Sequence, residues 1–99
     1  MPYIEEKYRG FLDTSLEDVT SNISRITETD KSTRAGVLNY SITYLLNKLY
    51  PEKRYFSIAV VVGVLITAML EYYRRVASPY EDKKILENGD VYPEDTEGK

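Results

Sequence analysis

The sequence predicts an all-α protein, and three features lead to that prediction. Apolar residues recur at intervals of three and four along the first half of the chain, which is the spacing of one face of an α-helix. Residues 56–70, FSIAVVVGVLITAML, then form an uncharged run of fifteen residues, which is longer than a typical buried strand. Because no turn signal interrupts the chain between Lys53 and Ser78, one long helix accounts for this region.

The first helix is predicted over residues 14–28. Thr14 and Glu17 have the spacing of a capping box, which marks the start of a helix. A single apolar stripe then lies on an otherwise polar helix, and it consists of Leu12, Leu16, Val19, Ile23 and Ile26. Residues 1–10 are interpreted as a short arm that precedes the helix.

The second and third helices are predicted over residues 32–50 and 53–77. Ser32 or Thr33 is expected to cap the second helix. The short link around Pro51 predicts that these two helices are antiparallel neighbours. We expect Pro79 to stop the third helix, because proline lacks the backbone N–H that a helix interior needs. A short C-terminal helical turn then ends at Asn88-Gly89, a common helix-terminating pair.

Length and composition predict one helical domain over residues 1–90 and an acidic, mobile tail over residues 91–99. The net charge of −3 argues against binding to a nucleic-acid backbone. Cysteine and histidine are both absent from the sequence, which excludes disulfides, thiolate chemistry and the usual catalytic base. We therefore expect no cofactor and no metal. The amino terminus lacks the apolar run of a signal peptide, so a cytoplasmic location is expected.

The third helix is apolar on all sides, and such a helix must be covered on all sides. The two other helices can cover roughly half of its circumference, so the sequence predicts a bundle completed by oligomerisation, most simply a homodimer. Ala59, Gly63 and Thr67 lie four residues apart and would let two helix backbones approach closely. The alternative is that Gly63 relieves crowding inside a monomer core. The predicted oligomer interface consists of Ala59, Val60, Gly63, Ile66, Thr67 and Leu70.

A membrane-associated protein is a further alternative. A membrane-spanning helix needs roughly 20 predominantly apolar residues. The run here is shorter, and it has Lys53 and Arg54 on one side and Glu71, Arg74 and Arg75 on the other. These flanking charges favour a water-soluble helix over a membrane span.

A dense group of polar residues begins where the apolar run ends. Arg74 and Arg75 carry planar guanidinium groups, which match a carboxylate or phosphate and so indicate an anion site. A solvated helix end explains the same cations, because positive charge suits the carbonyl-rich carboxyl terminus. The nearby acids Glu71, Glu81 and Asp82 have the oxygen ligands that Mg²⁺ takes. No matching pair of acids accompanies them on the second helix, so no metal site is predicted.

Several short segments carry a family resemblance: MPYI at the start, Leu38-Asn39-Tyr40, Glu71-Tyr72-Tyr73-Arg74-Arg75, Pro79-Tyr80-Glu81-Asp82-Lys83 and Glu87-Asn88-Gly89-Asp90-Val91. With them the sequence resembles a small uncharacterised family found in phages, archaeal viruses, bacteria and archaea. Members of that family carry glutamate where this chain has Val37 and Ile66. The resemblance implies no activity, but it does imply one connected ligand-binding patch. That patch consists of Asn39, Tyr40, Glu71, Arg74, Arg75, Tyr80, Glu81 and Asp82.

The leading functional hypothesis is a non-enzymatic helical interaction protein, such as a viral or phage accessory factor. It would bind a protein partner or a small anionic ligand at the polar patch. The second hypothesis is an all-α, Mg²⁺-dependent enzyme that resembles the nucleotide pyrophosphohydrolases. The third is the small membrane-associated protein described above.

Overall fold

The computed structural model describes residues 2–93, and these form helices and connecting segments without a strand. Helix α1 spans Glu6–Ile26, and a 3-10 turn at Lys31–Thr33 leads into α2, which spans Arg34–Leu49. Helix α3 spans Tyr55–Tyr72 and continues through a π-helical turn at Tyr73–Ala77 into α4, which spans Ser78–Asn88. Since the last three segments are continuous, residues 6–88 form three helical rods, and the all-α prediction is confirmed.

Helix α1 begins eight residues earlier than predicted, at Glu6 instead of Thr14. The capping-box pattern of Thr14 and Glu17 therefore lies in the interior of the helix. Residues 6–13 contain several good helix formers, and the single Gly10 costs only about 1 kcal/mol relative to alanine. The arm before the helix is correspondingly short, and Arg9 Nε ties it down by donating to the carbonyl of Ile4 at 2.9 Å.

The connection between α1 and α2 is held by local hydrogen bonds. The carboxylate of Asp30 accepts from the backbone N–H of Ser32 at 3.1 Å and from the Ser32 hydroxyl. The hydroxyl of Thr33 donates to the carbonyl of Asp30 at 2.8 Å. Asp30 thus caps the 3-10 turn. Thr33, one of the two predicted caps, is the N-cap residue of α2, but its side chain makes no capping hydrogen bond there.

Pro79 does not stop the third rod, contrary to the prediction. The helix widens into the π turn before the proline, and the backbone N–H of Ser78 bonds five residues back to the carbonyl of Tyr73. A proline ring clashes with the carbonyl four residues before it in a regular α-helix. The wider turn shifts the carbonyls there, so the rod continues to Asn88. The predicted separate C-terminal turn is instead the end of this rod.

Gly89 ends α4 with a backbone φ of 89°, a conformation that favours glycine. The predicted stop at Asn88-Gly89 therefore coincides with the observed one. Residues 91–93 follow the helix, and residues 94–99 of the predicted mobile tail lie outside the described residues.

The described chain has no buried hydrophobic side chain, and Thr27 is its only buried residue. The radius of gyration is 18.6 Å, compared with about 13 Å for a compact domain of 100 residues. Helix α2 lies along one side of α3, whereas α1 contacts α2. The three rods therefore form an open arrangement in which most apolar surface faces outwards.

Candidate functional site

Helix α3 has one side that faces α2 and an opposite side that lines none of the described clefts shared with α2. Ile58, Val61 and Leu65 line the clefts shared with α2. At 3.6 residues per turn, Gly63 and Leu70 lie on the opposite side of the helix. The predicted interface residues Ala59, Val60, Gly63, Ile66, Thr67 and Leu70 all fall on this outward side, which we call the Gly63 face.

The Gly63 face can approach another surface closely. A Cβ atom built on Gly63 would meet no other atom within 4 Å, so crowding inside the chain does not explain the glycine. The hydroxyl of Thr67 donates back to the carbonyl of Gly63 at 2.9 Å. Because this polar group is satisfied within its own helix, burying it against a partner would cost little.

The carboxyl end of α3 carries the first part of the predicted polar patch. The Arg74 guanidinium donates to the Glu71 carboxylate one turn earlier. The Glu71 side chain is mostly covered, with 21% of its area exposed, whereas that of Arg74 is 64% exposed. The adjacent Arg75 is exposed and makes no ion pair within residues 2–93. This end thus presents an ion pair and one further cation to solvent.

Helix α4 carries the second part of the patch. Glu81 and Asp82 border an open groove between α4 and the segment that follows it, with Tyr73 and Tyr92 at its edges. Tyr80 is exposed beside this groove, and the Lys84 ammonium lies 5.5 Å from the centre of its ring. The groove has aromatic walls and both signs of charge.

The third part of the patch lies on α2. Asn39 borders a shallow cleft opposite Leu65 of α3. Tyr40 is exposed, and its ring centre lies 6.3 Å from that of Tyr44. The Lys48 ammonium lies 5.6 Å from the centre of the Tyr44 ring. These residues form a short tyrosine and lysine surface along α2.

Within one chain, the α2 and α4 parts of the patch are well separated. Asn39 is level with Leu65, and Tyr80 lies fifteen residues further along the same rod. That separation corresponds to about 22 Å at 1.5 Å per residue. The structure therefore brings Glu71, Arg74 and Arg75 together, sets Tyr80, Glu81 and Asp82 one to three turns beyond them, and leaves Asn39 and Tyr40 apart.

The polar interaction at the α1–α2 corner was missed from the sequence. Thr27 is 1% exposed, and its hydroxyl donates to the carbonyl of Ile23 at 2.6 Å. The same oxygen accepts from Arg34 Nε at 2.9 Å. Only the Asp30 to Ser32 spacing, typical of a tight polar turn, signals this corner in the sequence.

Two further observations concern the hypotheses that the sequence left open. Among residues 2–93, no three acidic side chains lie close enough together to hold a metal ion. The continuous rod Tyr55–Asn88 is long and apolar enough, by length and composition alone, to cross a membrane, and its apolar part is not buried by the chain.

A helix with a largely exposed apolar side and a charged, tyrosine-bearing end characterises this small all-α protein. The chain belongs to the family described as a domain of unknown function, DUF6899, whose model matches residues 1–91. The resemblance to an uncharacterised family is thus confirmed. No curated protein and no solved structure matches the chain.

Proposed function

We propose that this protein is a non-enzymatic helical interaction protein that acts as a homo-oligomer, most simply a dimer. The observation that carries the proposal is that no hydrophobic side chain of residues 2–93 is buried within the chain. Burial of apolar surface is the main favourable term in folding. A chain that buries so little of it alone gains its stability by packing against another molecule.

The exposed area supports the same proposal. The chain has an accessible surface of 9154 Å² and a mass of 11.5 kDa. A folded monomer of that mass exposes about 5,800 Å² by the general relation between area and mass. The excess of roughly 3,350 Å² is several times the 800 Å² or so that each partner buries in an interface of standard size. A second copy supplies enough surface to remove it.

The polar patch is the surface on which such an oligomer would bind its protein partner or small anionic ligand. Arg74 and Arg75 provide guanidinium groups that match a carboxylate or phosphate. Exposed tyrosines surround them at 72, 73 and 80. Tyrosine offers both packing surface and a hydroxyl donor, which is why it is enriched at interfaces. A role as a viral or phage accessory factor is compatible with such a binding surface.

The oligomer can be tested by placing a large side chain on the Gly63 face. Gly63→Leu is expected to prevent close approach of a second helix and to lower the molar mass measured by light scattering towards that of a monomer. Gly10→Leu is the matched control, because a Cβ atom at Gly10 would also meet no other atom within 4 Å and Gly10 lies opposite the α1 apolar stripe. The control should keep the oligomeric mass. Equal masses for both variants would contradict the proposed interface.

A membrane location is the second candidate, because the rod Tyr55–Asn88 is long and apolar enough to span a membrane and its apolar part is not buried by the chain. Tyrosines at positions 55, 72 and 73 flank the apolar run, as aromatic residues do at membrane surfaces. Cell fractionation separates the two candidates. The homo-oligomer predicts full recovery in the soluble fraction without detergent, whereas recovery only after detergent extraction supports the membrane candidate and contradicts the leading one.

A further inference from the structure

We propose that two copies of this chain pair antiparallel along the Gly63 face of α3, with the two-fold axis at Gly63. This inference rests on the proposed homo-oligomer. It specifies which face of α3 pairs with a second copy, in which direction the two helices run and which residues lie opposite each other. In such a pair, the carboxyl end of each α3 lies against the amino end of the partner's α3. The polar patch then receives residues from both chains.

The face is selected by what the chain itself covers. Helix α2 occupies the side of α3 that carries Val61 and Leu65, so it does not compete with a second copy for the opposite side. On the Gly63 face, Phe56 is 77% exposed and Leu70 is 56% exposed. The residues of this face are apolar apart from Thr67; Val60 and Thr67 are half-buried, and the space beside Gly63 is open.

The register follows from the position of Gly63 near the centre of α3. An antiparallel pair with its axis at Gly63 sets residue 59 against residue 67 of the partner, and residue 56 against residue 70 of the partner. Small residues then meet on either side of the crossing point, and Phe56 meets Leu70 further out. With small residues at the centre, the two helix backbones can approach closely there, while the larger side chains fill the space at the ends.

The two directions bring equal numbers of charged residues together at each end of the dimer, and they differ in which charges are level with each other. A parallel two-fold pair sets Glu71 beside its own copy and Arg74 beside its own copy, which places like charges together. The antiparallel register instead sets Arg74 level with Glu52 of the partner subunit. It also sets Glu71 level with Tyr55 of the partner subunit, at the start of the partner's α3.

The amino end of α3 offers a favourable position for that carboxylate. Arg54 precedes the helix without a side-chain cap, and the first turn contains no acidic residue. The uncapped N–H groups carry partial positive charge, which favours a nearby anion. Glu71 of the partner subunit lies at this level in the antiparallel register, and its carboxylate would face the helix end while it keeps the Arg74 of its own chain.

The pairing also joins cations that are far apart in one chain. Lys53 and Arg54 lie at one end of α3, and Arg74 and Arg75 lie beyond the other end. Antiparallel pairing places the first two beside the last two of the partner subunit, at both ends of the dimer. Glu52 and Glu71 offset part of this charge, and the remaining cations form a shared surface for phosphate or carboxylate.

Disulfide trapping tests the direction directly, because the natural chain has no cysteine. We would prepare Ala59→Cys and Thr67→Cys as separate proteins, mix them, and oxidise them under mild conditions. The mixture is expected to give a covalent dimer that contains one chain of each kind. Each variant alone is expected to give little, since equivalent positions lie about 12 Å apart along the axis, beyond the roughly 7 Å reach of a disulfide. Ala68→Cys mixed with Ile58→Cys is the matched control, because these two positions are level in the same register but lie on the α2 side of the helix, and this mixture should not cross-link.

The outcomes separate this inference from the proposed function. Efficient cross-linking of Ala59→Cys with itself and of Thr67→Cys with itself would show a parallel pair and overturn the inference. Equal cross-linking of Ala68→Cys with Ile58→Cys would overturn the choice of face. In either case a dimeric mass for the unmodified chain would leave the proposed homo-oligomer standing. A monomeric mass without any cross-linking would overturn both.

Discussion

Thr27 shows how one hydroxyl group fixes the corner between α1 and α2. It donates to the carbonyl of Ile23 and accepts from Arg34 Nε, and it is the one fully covered side chain among residues 2–93. A covered hydroxyl that lost either partner would leave a polar group unsatisfied. The corner angle, and with it the direction of α1, therefore depends on this residue.

Replacing Thr27 with valine keeps the shape of the side chain and removes the hydroxyl. We expect the free energy of unfolding to fall by about 1 to 2 kcal/mol, because a partly buried Arg34 donor loses its acceptor. Denaturant unfolding at a fixed protein concentration measures the change. Ser41→Ala is the matched control, since the Ser41 hydroxyl only donates back to the carbonyl of Val37 in its own helix. A loss for Thr27→Val no larger than that of the control would contradict this role.

The carboxylate of Asp30 makes the stability of the same corner depend on pH. The Ser32 hydroxyl and then the Ser32 backbone N–H donate to its carboxylate and hold the pKa of Asp30 below its ordinary value of 3.8. Stability from this group is therefore complete above the unfolded pKa and is lost as the pH falls through the folded pKa. An NMR titration should find Asp30 below its ordinary pKa, and Ser32→Ala should raise it. A titration at or above the ordinary value in the unmodified chain would contradict the hydrogen bonds at this turn.

At the level of single helices, glycine has opposite effects at different positions. Gly10 lies inside α1 and could carry a Cβ without touching any other atom, whereas Gly89 has a positive φ at the end of α4. Helix interiors favour alanine over glycine, and a positive φ disfavours every side chain with a Cβ. The same substitution should therefore stabilise one helix and weaken the other.

We expect Gly10→Ala to raise the free energy of unfolding by about 0.5 to 1 kcal/mol. Gly89→Ala should lower it by about 1 kcal/mol, because alanine is strained at that φ. Amide hydrogen exchange in α1 and α4 localises each effect to its helix. Changes of the same sign in the two variants would contradict the described helix ends.

The positions of the helices could be predicted from the sequence where the hydrophobic pattern determines them. The spacing of apolar residues placed α2 close to its observed range, and the long apolar run without a turn signal placed the start and the main part of α3. The start of α1 was wrong because the helix formers of residues 6–13 outweigh a cap signal at Thr14. The end at Pro79 was wrong because a widened turn can absorb a proline, and nothing in the local sequence distinguishes that turn from a break.

For the whole molecule, the open arrangement of rods is the dominant feature. The α3 surface and the α1 stripe are only partly covered by the described chain: Ile23 and Leu65 line clefts with α2, whereas Leu16 and Leu70 are exposed. The sequence indicated that α3 was too apolar for one subunit to cover, because that follows from the amount of surface. It did not indicate that Asn39 and Tyr80 are separated, because that separation follows from the continuation of the rod through Pro79.

Binding of inorganic phosphate tests the polar patch at this scale. Phosphate should raise the thermal unfolding midpoint of the unmodified protein, because its charge offsets repulsion among the exposed guanidinium groups. Arg74→Ala and Arg75→Ala should each reduce that rise. Arg25→Ala is the control, because Arg25 lies on α1 and donates to Asn22. Equal phosphate shifts in all three variants would contradict an anion site at the end of α3.

Sedimentation equilibrium of the unmodified chain, at micromolar concentration in buffer without detergent, tests the central claim most directly. An obligate helical oligomer predicts a molar mass of at least twice the 11.5 kDa of one chain. A stable, folded species at the mass of a single chain would contradict the account, because it would show that one subunit folds without a partner on the Gly63 face.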